Sequence, residues 1–64
     1  MTGAGVAERF QEAVWALEQA AGRLRAAARG LELEGWHGTA DMLTRWAEEA
    51  ERKLTELTSD LVRS

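Results

Sequence analysis

Sixty-four residues with no cysteine, no proline and a single histidine make one small domain, without disulfides, thiolate metal sites or a multi-histidine centre within one chain. A formal charge of -3 and a pI near 5.0 weigh against binding nucleic acid by bulk charge. No segment approaches the roughly 18 consecutive apolar residues of a membrane span, and no basic stretch leads into an apolar signal-peptide core.

Residues 1–5 are small and glycine-containing and read as a flexible terminus ahead of the fold. A helical pattern then begins. Phe10, Val14, Leu17, Ala21, Leu24, Ala28 and Leu31 follow one another at alternating steps of four and three, an unbroken heptad seam. Phe10, Leu17, Leu24 and Leu31 take the d positions, and Val14, Ala21 and Ala28 the a positions. Ala13, Ala20 and Ala27 flank them at g, small enough to let a neighbouring helix come close. This predicts a first helix over about 6–33.

The pattern breaks at Leu33-Glu34-Gly35-Trp36-His37-Gly38, where two glycines mark a stop and a turn. Thr39 has the chemistry of an N-cap, and Asp41 would lie in the first turn that follows, where the helix dipole favours negative charge. A second seam runs through Ala40, Leu43, Ala47, Ala50, Leu54, Leu57 and Leu61, predicting a helix over about 39–62. A connection this short makes the two helices antiparallel neighbours. The fold class is therefore all-α, a two-helix hairpin.

The two helices differ outside the seam. The second presents Asp41, Arg45, Glu49 and Lys53 as one i,i+4 ladder and Glu48, Arg52 and Glu56 as another. The first carries Trp15, Ala16, Gly22, Ala26 and Leu33 among fewer charges, and a helix apolar most of the way round is usually covered from two sides. A lone hairpin of this size has a meagre core. The expectation is that two hairpins pair into a four-helix bundle, the partner being a second copy or a homologous or larger helical protein. The residues expected at the hairpin and dimer interfaces are Phe10, Val14, Trp15, Leu17, Leu24, Leu31, Leu43, Trp46, Leu54, Leu57 and Leu61. Trp15 is the candidate exposed hot spot, because aromatic residues dominate interface energetics.

Residues able to do chemistry are scarce. His37 sits in the glycine turn with no cysteine to activate, and Ser59 and Ser64 lie far along the second helix, so no catalytic residue, cofactor or metal site is assigned. Glu34-Gly-Trp-His37 matches the Glu-x-x-His of di-iron bundles, but that motif works only on a helix, and Gly35 and Gly38 place this one in a turn. Arg23, Arg25 and Arg29 form the one basic cluster, a candidate contact for an acidic partner; their ordinary role is to complement the end of the first helix. The absence of a lysine-rich face argues against a membrane-surface helix.

Trp36-His37-Gly38 at the bend of a helical hairpin, followed by Ala40, Leu43 or Met42, and Trp46, resembles the WXG family, small helical hairpins handled by type VII secretion systems. The resemblance covers about residues 33–62. It implies that Trp36 and Gly38 form the turn motif, that the hairpin dimerises with itself or a relative, and that export occurs without a cleaved signal peptide. This chain is shorter than typical members and has no tyrosine for the family's Tyr-x-x-x-Asp/Glu signal, so a larger partner would supply it. From the residues themselves, Gly38 is expected to supply a positive φ or a close approach, and Trp36 to plug the open end of the helix pair. The alternative reading is an intracellular dimeric adaptor or regulator, an inhibitor or antitoxin-like subunit that uses Trp15 and the arginines on a target protein or, less readily, on nucleic acid.

Overall fold

A computed structural model describes residues 3–63, with the backbone alone for Ala4 and Leu61. Two helices make up the described chain: α1, Gly3–Leu33, and α2, His37–Arg63. They pack along each other, joined by residues 34–36, which makes them antiparallel. The pair measures 51 × 17 × 11 Å, a layer one helix thick. Its radius of gyration is 15.0 Å, against about 10.7 Å for a compact chain of this length.

Both helices start earlier than the periodicity predicts. Of the five residues read as a flexible terminus, Met1 and Thr2 lie outside the described residues, while Gly3, Ala4 and Gly5 are already helical. Thr39 is not the cap of α2. Trp36 is, because its carbonyl accepts the first helical bond from the Ala40 N–H at 2.9 Å. Asp41 therefore lies beyond the first turn, where it pairs with Arg45 at 2.7 Å instead of meeting the helix end.

The turn also corrects the roles given to its glycines. Gly35 has φ 89°, whereas Gly38 is an ordinary helical residue with open space around it. The Trp36 N–H donates to the Leu31 carbonyl at 2.9 Å and the Gly35 N–H to the Glu32 carbonyl at 3.1 Å. These are the two bonds of a Schellman motif, which closes a helix through a left-handed residue that glycine adopts without Cβ strain. Trp36 does not plug the end of the pair, since 62% of it is exposed. Its backbone does the structural work, ending α1 and starting α2.

The core is made of alanine. Among the described residues only Ala21, Ala28, Ala40 and Ala47 are buried hydrophobics, and Ala47 is fully enclosed. Phe10, Val14, Leu17, Leu24, Leu31, Leu43, Ala50, Leu54 and Leu57 are half-buried, so every described seam residue faces the partner helix at least in part. Ala21 and Ala28 at a positions of α1 and Ala40 and Ala47 at a positions of α2 bring the backbones together, and the larger side chains of the d rows, with Val14 and Leu54 of the a rows, stay half in water. Ala20 and Ala27 are exposed and take no part in that approach.

Candidate interaction surface

The hairpin has two unlike flanks, and heptad register assigns residues to each. In an antiparallel pair the e rows of both helices share one side and the g rows the other. The e rows are Gln11, Glu18, Arg25 and Glu32 on α1, and His37, Thr44, Glu51 and Thr58 on α2. All are polar. Arg25 clamps Glu51 across the pair, its Nη2 at 2.7 Å from Oε1 and its Nε at 3.1 Å from Oε2. This two-pronged bond holds the Glu51 carboxyl below its usual range, with the attraction of the guanidinium adding to it. His37 Nδ1 lies 2.8 Å from Glu32 Oε2, and the Thr44 and Thr58 hydroxyls donate to carbonyls one turn back. Every side chain of the α2 e row thus has a partner within the chain.

The opposite flank carries the d and g rows. On α1 the g row is Val6, Ala13, Ala20 and Ala27, with no polar member. On α2 it is Thr39, Trp46, Lys53 and Asp60. Trp46, expected at an interface, stands 51% exposed beside the half-buried d-row leucines, so the hairpin itself does not cover it. Met42, one row further out, and Val6 are exposed as well. Trp15 is 56% exposed and sits at a b position on the polar side of α1. The side chain of Leu61, expected at the same interfaces, lies outside the described residues.

The basic cluster comes apart in three dimensions. Arg25 is occupied by Glu51. Arg23 and Arg29 are exposed and form no ion pair among the described residues, yet at about 100° per residue they point about 120° apart. An open hollow of about 610 Å³ lies on the polar flank near the turn, floored by Ala28 and Ala40 and rimmed by Arg25, Arg29, Glu32, His37 and Asp41. Its rim mixes both signs of charge and contains no cysteine or serine. Glu34 lies in the turn and His37 in α2, so the Glu-x-x-His spacing has no helical geometry. No group of three acidic, histidine or cysteine side chains able to hold a metal converges among the described residues. No described helix is long and apolar enough to cross a membrane.

The flanks were readable in part. An apolar g row beside a polar e row on α1 is a sequence pattern, and it marks the flank that includes Val6 and Met42, two residues that seam-counting passes over. The Arg25–Glu51 clamp had no such signal, because it depends on the stagger of two helices 26 residues apart. No family model matches the chain. No curated protein or solved structure shows significant similarity to it.

Proposed function

We propose that this chain is a non-enzymatic interaction module, a helical hairpin that completes its core against another helical surface in a four-helix bundle. The observation that carries this is the half-exposed state of the large seam residues around a core of four small alanines. A layer one helix thick leaves such residues wet unless a second layer covers them. In its sharper form the reading is WXG-like, a type VII secretion substrate or the small partner of one, residing in the cytoplasm or exported without a cleaved signal peptide. The support is Trp36, exposed at the bend with Gly38 two residues on. Gly38 serves no need of the turn, which leaves recognition as a reason for it.

That last point makes a clean test. Gly38→Ala meets open space in an ordinary helix and should keep or slightly raise stability. In a host with a type VII system, Gly38→Ala and Trp36→Ala are both expected to abolish export, read as chain in the culture medium, while circular dichroism stays helical. Full secretion of both variants would sink the WXG-like form.

A second reading, an intracellular adaptor or regulator, is favoured by Arg23 and Arg29, which no described acidic residue neutralises. Under it, the paired change Arg23→Glu and Arg29→Glu removes binding to an acidic target and leaves export untouched.

A further inference from the structure

We infer that the flank formed by the d and g rows is a self-complementary dimer surface, on which Trp46 of one copy seats over the Ala20–Ala27 row of a second copy. This rests on the reading of the chain as a pairing hairpin and names both the partner and the face.

Three observations converge on that flank. The first is area. The chain exposes 5009 Å², whereas a compact protein of 7.1 kDa exposes about 4,100 Å². The excess of about 900 Å² matches the roughly 800 Å² that each partner contributes to a standard interface. The second is satisfaction. On the polar flank the Arg25–Glu51 clamp, the Glu32–His37 contact and the threonine back-bonds already pair most of the e-row groups, which a partner would have to displace. The apolar flank has Leu17, Leu24, Leu43 and Leu57 half-covered and Trp46 largely in water. Burying it releases water from apolar surface and strands few polar groups.

The third is shape and charge. A two-fold pair uses one patch twice, so a patch that carries both a knob and its hole can satisfy itself. Here α2 contributes the knob, Trp46, and α1 contributes the hole, the stretch of its g row where Ala20 and Ala27 stand exposed with only methyl side chains. The charges in the d and g rows cancel, because Lys53 and Asp60 are the two that α2 places there and the α1 rows contribute none. A second copy therefore meets no excess of like charge there despite the net charge of -3 on each chain.

Sedimentation equilibrium of the full chain and of three variants tests this. The wild type should be a dimer. Trp46→Ala and Ala20→Arg should each raise its dissociation constant by about 30-fold or more, the size of a hot-spot loss. Trp15→Ala, on the other flank, should leave it within about threefold, since contacts outside a hot spot are near neutral. If a variant fails to fold, thiol protection gives the answer without it, because the natural chain has no cysteine. Alkylation of an Ala20→Cys chain should slow at least about tenfold between dilute and concentrated protein, while a Glu18→Cys chain reacts equally fast at both. A dimer indifferent to Trp46→Ala and Ala20→Arg, or equal protection at both positions, overturns this face but leaves the pairing hairpin standing. A helical monomer at all concentrations overturns the second copy as the partner, and the export test above then decides the broader reading separately.

Discussion

The two helices reach the same conformation by different means. Within α2, Asp41 pairs with Arg45, Glu49 with Arg52 and Lys53, and Asp60 with Arg63. No ion pair among the described residues is internal to α1, which relies on alanine-rich helix propensity and on contact with its neighbour. Each exposed pair of α2 is worth only a few tenths of a kcal/mol, yet together they solvate its outer face and settle which side turns inward. Helix α1 has no such instruction. It also carries Gly22 and Gly30 in its interior, each open to space. One helix is therefore held by charged pairs on its solvent face, and the other by propensity and by its contact with the first.

Substitutions can break or sharpen this contrast. The largest effect belongs to the place where the helices touch. Ala47→Leu in α2 adds three carbons at a site with no exposure, so the backbones must separate. Urea unfolding should show a loss of about 1–3 kcal/mol. A wild-type midpoint would mean that the alanine contact is looser than described.

Glycines give intermediate effects of opposite sign. Gly35→Ala forces a Cβ into the left-handed conformation and should lower stability by about 1–2 kcal/mol. Gly22→Ala, on the open face of α1, should raise it by about 0.5–1 kcal/mol. Thermal melts of the two should move in opposite directions, and a common direction would refute the assignment of Gly35 as the sole conformational glycine of the turn.

The smallest effect concerns the clamp between the helices. Because Arg25 lowers the Glu51 pKa in the fold, the clamp stabilises the hairpin fully above the ordinary carboxylate range. That contribution is lost as pH falls through the lowered folded value. Glu51→Gln should melt slightly below the wild type at neutral pH, and the two should converge in acid. A constant gap across pH would show that the clamp acts by packing rather than by charge.

Much of the fold was legible because heptad spacing selects a face whatever lies opposite it. Each described seam residue, from Phe10 to Leu57, is buried or half-buried as the spacing requires. The turn was harder. Gly35 and Gly38 both suit a helix stop, and the choice depends on which N–H groups reach the Leu31 and Glu32 carbonyls, a matter of three-dimensional closure. Thr39 has the chemistry of a cap, but Trp36 holds the position because the Schellman bonds deliver the chain there already turned. The three arginines looked like one patch in sequence and became three separate environments once Glu51 arrived beside Arg25.

The sharing of Trp36 between two helices also bears on how the chain folds. Reversal is encoded from Gly30 to Ala40, so the loop that must close is as short as helix geometry allows. Buried Ala28 and Ala40 lie near the bend, whereas half-buried Phe10 and Leu57 lie far from it, and pairing can run outward one turn at a time. A topology of this kind has low contact order and folds on the fast end of the scale. The same gradient governs opening. Hydrogen exchange is expected to be fastest along the half distant from Trp36 and slowest at the alanines by the bend. A partner that arrives before pairing is complete would therefore meet two loosely held helix ends already joined at their base.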